Sequence, residues 1–262
     1  VNAMRCKTRK QYIHILSVTF LLFSLNPILF SLTTENSASA NALSGMTILS
    51  ASPADYTLSP LIGESGICLS WHQLYGISDI NFYGLHSAFP VKPLILATGI
   101  DYLAHQDYRW QNEYVALSLK LSSFRLGATQ HLIYEKIEDQ SWYTWDNDFA
   151  LSFQNKRLVS EIRCNNIRTE EKTFTLAAAF NANENSSFAA SYSFRPKEKD
   201  SYSLATSLTI AKPLIIQSSW QNEPARFGLG LKVLIGKLNL MYAVRTHTEL
   251  NLTHIVDLGS AW

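Results

Sequence analysis

From Ile67 onward the chain alternates apolar with polar or small residues at a period of two over almost its whole length. Clear instances are "FRLGATQHLIY", "TFTLAAAFNA", "SFAASYSF", "YSLATSLTIA", "FGLGLKVLIG" and "LNLMYAV". In 202–211 the apolar set is Tyr202, Leu204, Leu208 and Ile210, interleaved with Ser203, Ala205, Ser207, Thr209 and Ala211. That period puts successive side chains on opposite faces of a strand. The runs predict about fourteen strands of roughly ten residues, the length a tilted strand needs to cross a bilayer. No apolar stretch after residue 42 is long enough for a membrane-spanning helix.

The breaks between runs sharpen the picture. In order they are "LYGISD", "PVKP", "AHQD", "SS", "YEKIEDQSWYTWDND", "QNK", "NNIRTEEK", "NANENS", "PKEKDS", "AKP", "NEPAR", "GK" and "THTELNLT". Even-numbered breaks are mostly very short and odd-numbered ones mostly longer, with "NANENS" the exception. Tight periplasmic turns and longer external loops give a membrane barrel that rhythm, which a soluble sandwich has no reason to show. "KPLI" opens a run at Lys92–Ile95 and again at Lys212–Ile215, where proline costs no ladder hydrogen bond. Trp71, Trp110, Trp142, Trp145 and Trp220 fall near the external ends of the runs and Trp262 at the other rim, as two interfacial aromatic girdles would require. The chain closes on alternating residues that stop at Trp262. In a closed barrel the last strand must pair with the first, because an open edge is not tolerated in lipid. A terminal aromatic behind apolar alternate positions also resembles the assembly signal of bacterial outer-membrane barrels.

The first residues read differently. Met4 is followed by Arg5, Lys7, Arg9 and Lys10, and then by the apolar "YIHILSVTFLLFSLNPILFSL", interrupted at Asn26-Pro27. The small residues of "ENSASANALSG" then offer Ala-x-Ala cleavage after Ala40 or Ala42. The expected organisation is a cleavable signal peptide over 1–42 and a periplasmic or lumen-plugging segment over 43–66. An all-β, closed antiparallel transmembrane barrel of the outer membrane follows over 67–262.

Composition adds constraints. A formal net charge of +1 gives no reason to expect a nucleic-acid partner. Charged residues make up only 16% against 12% aromatic, which solvates a soluble protein thinly. A mean hydropathy of −0.02 is far from that of a helical membrane protein. Cys6 belongs to the leader and has no lipobox around it. Cys68 and Cys164 lack metal-ligand spacing and read as small apolar side chains, although an oxidising compartment would permit a disulfide between them.

"YAVRTHTELNLTHIVDLGSAW" resembles the C-terminal hairpin of PorV/PorQ-type outer-membrane proteins, barrels of FadL-like architecture. The residues that carry the likeness are Tyr242-Ala243, His247, Glu249-Leu250, Thr253-His254, Leu258-Gly259 and the terminal aromatic. "INFYGLHSAFPVKPLILATGIDYL" is similar to the family's second hairpin. The resemblance implies fourteen strands with an N-terminal segment partly filling the lumen. It further implies either passage of hydrophobic or small solutes or an accessory, scaffolding role in type IX secretion.

Candidate chemistry is sparse. Polar faces project Asp101, Lys120, Glu161, Arg163, Arg195, Lys232 and Asp257 to one side, which lines the lumen if the apolar set meets lipid. A lipid-facing Arg or Lys at mid-depth would cost roughly 2–4 kcal/mol. These charges either pair into a network that shuts the barrel or mark a solute path. His247 and His254 flank the last external loop around Glu249, and hydrogen bonding there outweighs metal binding because the spacing spans a turn. G-x-S-x-G, H-E-x-x-H and a phosphate loop are all missing, since Gly236-Lys237 is followed by Leu238. Nothing singles out a Ser/His pair such as Ser141 with His131. The expectation is a protein that is not an enzyme and has neither cofactor nor metal. Its partners would be outer-membrane lipid, the barrel assembly machinery, and hydrophobic ligands or secretion-system proteins. A lipid-acting barrel enzyme and a secreted soluble β protein are the alternatives.

Overall fold

The alternation closes on itself. In the computed structural model, which describes residues 37–262 other than Gly63, Lys92, Asp107, Glu170 and Glu171, fourteen antiparallel strands form one closed barrel. Residues 1–36 of the leader expected over 1–42 lie outside the described residues, whereas 37–42 are described. The first seven strands are β1 (Gly66–Gln73), β2 (Asn81–Val91), β3 (Leu94–His105), β4 (Tyr108–Leu121), β5 (Phe124–Ile137), β6 (Gln140–Gln154) and β7 (Leu158–Asn165). The others are β8 (Thr173–Asn183), β9 (Ser186–Phe194), β10 (Ser201–Ala211), β11 (Leu214–Asn222), β12 (Ala225–Ile235), β13 (Leu238–Arg245) and β14 (Thr253–Ala261). Each strand pairs with its sequence neighbours, and β1 meets β14 from Gly66↔Ala261 to Gln73↔His254. No edge remains, which is the condition for strands in hydrocarbon.

The polarity of the wall is inverted relative to a soluble protein. Leu69, Leu85, Leu117, Leu151, Ile162, Leu176, Leu204, Leu229, Leu240 and Leu258 all face outward and are exposed, giving an apolar belt around the full circumference. The alternate residues, among them Ser70, Asp101, Asn112, Asp148, Thr175, Ser203 and Asp257, face inward and are buried. An exposed apolar surface on that scale belongs against lipid, so this is a membrane-spanning barrel.

At the end that carries the start of β1 and the finish of β14, every hairpin connection has two or three residues. At the opposite, loop end the long connections gather, over 74–80, 166–172, 195–200 and 246–252. Three loop-end turns are also tight, at 106–107, 138–139 and 223–224. The stretch expected to be a fifteen-residue external loop, "YEKIEDQSWYTWDND", is therefore a long hairpin that turns at Glu138-Asp139. Its polarity misled because Glu135, Asp146 and Asp148 point into the barrel, where charge is accommodated, while Tyr143 and Trp145 point out. "NANENS" corrects in the same direction, for it contains a two-residue turn at Glu184-Asn185 with strand on either side. Ser122, Glu138 and Gln106 carry positive φ in these turns without being glycine, so the turns lack the Asn-Gly signature that marks tight hairpins in a sequence.

The girdle needs a similar correction. Trp71, Trp145 and Trp220 do face outward toward the loop end, and Trp262 packs on Phe89 at the other rim with ring centroids 5.7 Å apart. Trp110 instead faces inward, buried against Phe82, and Trp142 lies on the inward side with its Nε1–H donating to Glu135 at 2.7 Å. Cys68 faces inward on β1 and Cys164 outward on β7, so no disulfide joins them.

Candidate functional site

The lumen is occupied by the chain itself. Residues 37–62 enter it as a short helix α1 (Ala38–Ala42), a 3-10 turn at Thr47–Leu49 and a second at Pro53–Thr57. Ser37 caps α1 by accepting the Ala40 amide at 2.8 Å, and Ser52 caps the second 3-10 turn, whose first position is proline. α1 lies against β11–β14, the first 3-10 turn against β7–β9, and the second against β1–β4. Tyr56 and Ile62 pack on Ala88, Ala97, Tyr114 and Ala116, while Leu43 and Met46 pack on Ala179, Ala189 and Ala205. Apart from Tyr114, the buried wall residues in these two clusters are alanines, which leave room for the bulk of the segment. The interior is thus a packed core, although its wall is largely polar.

Polar contacts stitch the segment to the wall. The Ala38 amide donates to Asp257 Oδ2 at 2.7 Å, and Ser39 Oγ donates to Gln217 at 2.9 Å. Arg163 Nη1 donates to Thr47 Oγ1 at 2.9 Å, Asn165 to the Leu58 carbonyl at 3.0 Å and Lys232 Nζ to the Ala51 carbonyl at 3.2 Å. Tyr114 donates to the Pro53 carbonyl at 3.3 Å, Thr129 to that of Tyr56 at 3.3 Å, and Arg125 to that of Leu61. Backbone carbonyls without a ladder partner need such donors when buried.

Asp55 is the polar centre of the segment. It is fully buried and accepts hydrogen bonds from Ser37 and Ser50. Burial pushes its carboxyl up to about 6, against those two hydrogen bonds and the positive charges of Lys232 and His86. Burial also holds the Tyr56 hydroxyl well above the usual tyrosine range.

The lumen charges expected from the alternation divide into three groups. Asp101 contacts His86 at 3.2 Å, and Glu161 contacts Arg163 at 3.6 Å, both as buried pairs within the wall. Lys232 and Asp257 face the segment directly. Lys120 shares the inward parity but is exposed at the turn end, opposite Arg125. Arg195 lies beyond the end of β9 in the 195–200 connection, where it pairs with Glu198 at 2.9 Å. A buried contact that sequence reasoning left unassigned joins His131 to Asp148 at 3.3 Å and to Asn112 at 3.1 Å. Its only signal was a lone histidine on an inward position.

The C-terminal motif residues diverge. Thr253 is buried and accepts the Tyr75 amide at 3.2 Å, whereas His254 faces outward and shares a 2.7 Å hydrogen bond with Tyr242. His247 sits in the last loop edge-on to Tyr75, with the Glu249 amide donating to its Nδ1 at 3.3 Å. Burial lowers the His247 pKa, with Arg226 and Arg245 adding to the effect and Glu249 opposing it. Leu250 is exposed. Ser141 pairs with Lys136 and His131 with Asp146 across β5–β6, so the two do not meet as a catalytic pair. Among the described residues no cluster of His, Cys, Asp or Glu is arranged to hold a metal.

Fold and site together define a membrane-spanning β-barrel whose lumen is filled by its own N-terminal segment. No protein-family model matches the chain, and no curated protein does. Among solved structures it is similar to engineered variants of the porin of Rhodopseudomonas blastica. One shows 7% sequence identity over 76% of this chain and 99% of that chain with a TM-score of 0.46. Another shows 8% identity over the same shares with a TM-score of 0.45. These matches give no support to the PorV/PorQ resemblance in particular.

Proposed function

We propose that the protein is a barrel of the bacterial outer membrane, without enzymatic activity, that passes small or hydrophobic solutes when residues 37–62 leave the lumen. The observation that carries this reading is the way the segment is held. Its carbonyls rest on single side chains of the wall, Arg163, Asn165, Lys232, Tyr114, Thr129 and Arg125, and not on a strand ladder. Such contacts exchange for water one at a time. A segment built only to brace the wall would be better served by continuous pairing.

The test is conductance in planar bilayers for the full chain and for a variant lacking residues 37–62, with residues 1–36 unchanged. Steps that are rare for the full chain and frequent for the deletion support passage. Silence from both proteins overturns it and leaves a scaffolding role. In that case the accessory function in type IX secretion that the sequence resemblance offers is the reading to pursue.

A further inference from the structure

Six residues at the start of the described chain carry a second inference. Ser37–Ala42 holds two Ala-x-Ala sites, and cutting after Ala40 or Ala42 would remove four or six of these residues. In the folded barrel all six are buried. Ser37 caps α1 and donates to Asp55, the Ala38 amide holds Asp257, and Ser39 holds Gln217.

The wall is shaped to take these residues. Gly228 and Gly230 occupy inward positions of β12. A Cβ on Gly228 would lie 2.6 Å from the carbonyl oxygens of both Asn41 and Ala42, and one on Gly230 would lie 2.6 Å from Ala42 Cβ. Met241, Ala243 and Ile255 form an apolar patch on the inner face of β13 and β14, covered by Ala38 and Ala42. Without α1 that patch would face a wet lumen. Asp257 would lose the Ala38 amide, which donates to one of its carboxyl oxygens.

We propose that processing of the exported chain leaves Ser37–Ala42 on the mature protein, so that the leader is removed upstream of Ser37 and the two Ala-x-Ala sites are not the ones used. The mature chain then begins with the residues that dock α1 on β11–β14. Processing and lumen filling become one event, because a cut at either downstream site would yield a barrel with a hole beside Gly228 and Gly230.

N-terminal sequencing and intact mass of the protein extracted from outer membranes decide the matter. A first residue at Ser37 or earlier is expected, and a start anywhere from Ala38 to Leu43 overturns the proposal. A second measurement is independent of the peptidase. The leader is fused directly to Leu43, and heat-unfolding midpoints are compared with and without Gly228→Val in both backgrounds. The expected result is a lower midpoint for the shortened chain, with Gly228→Val lowering the midpoint of the full chain but not that of the shortened one. Equal midpoints for the two chains, or a Gly228→Val effect of the same size in both, would show that α1 is not part of the mature fold.

Discussion

At the scale of single residues, Asp55 couples lumen filling to pH. Its carboxyl titrates near 6 when docked, against about 3.9 when solvated. The docked state therefore binds a proton more tightly than the released one. Its stability is greatest below about pH 4, where both states are protonated, and falls as pH rises toward 6, where both become ionised. Holding the carboxyl at about 6 in place of its ordinary value is worth roughly 3 kcal/mol across that window. Thermal midpoints measured from pH 4 to pH 7 should fall for the natural chain, and Asp55→Asn should flatten the slope. A slope that survives Asp55→Asn would assign the effect to other groups. The donors that hold Asp55, Ser37 and Ser50, belong to the same segment, so it is burial against the wall that raises the carboxyl. Its contribution is therefore confined to the docked geometry.

At the scale of the strand, the outward and inward sets have opposite tolerances. Leu229 lies near the middle of β12 and faces outward, while Ile235 closes the same strand at the rim. An arginine at mid-depth meets hydrocarbon, whereas one at the rim reaches the headgroups by extending its stem. Leu229→Arg should cost about 2–4 kcal/mol in urea unfolding from lipid vesicles, and Ile235→Arg about 0–1 kcal/mol. Equal costs would show that β12 is not crossing a bilayer at that depth. The same two-sidedness explains which elements were legible in the sequence. "YSLATSLTIA" reads as a strand because its inward set is small and its outward set is apolar. Most of β5 read as strand in "FRLGATQHLIY", but the far half of the β5–β6 hairpin, 134–148, read as loop, because Glu135, Asp146 and Asp148 look like loop residues until a closed wall gives their charges partners. Trp110 was placed with the lipid-facing tryptophans on its position along the chain alone. Its inward parity with Asn112 and Tyr114 was the signal that mattered.

At the scale of the whole molecule, the strand ladder was legible in the alternation, whereas lumen filling stood only as one of two expectations for 43–66. Residues 37–62 carry no periodic pattern, since a segment matched to a concave wall takes its spacing from that wall. The trace it leaves in the sequence lies on the opposite partner, in Gly228, Gly230 and the inward apolar residues Met241, Ala243 and Ile255, which a water-filled lumen would not explain. Barrel and filling are also held by different means, one by continuous pairing around a closed ring and the other by isolated contacts. Elements with fewer cooperative bonds open first under mild perturbation. Cys68 reports on that order of events, for it faces inward, is buried, and lies beneath Ser52 at 3.6 Å. In a Cys164→Ser background, a water-soluble thiol reagent should label Cys68 slowly in buffer. Labelling should quicken at urea concentrations where the barrel still shows its folded mobility on an unheated gel. The variant lacking residues 37–62 should react quickly without any urea. Labelling that begins only when the barrel itself unfolds would mean that wall and filling move as one cooperative unit, and conduction through a vacated lumen would then have no low-energy route.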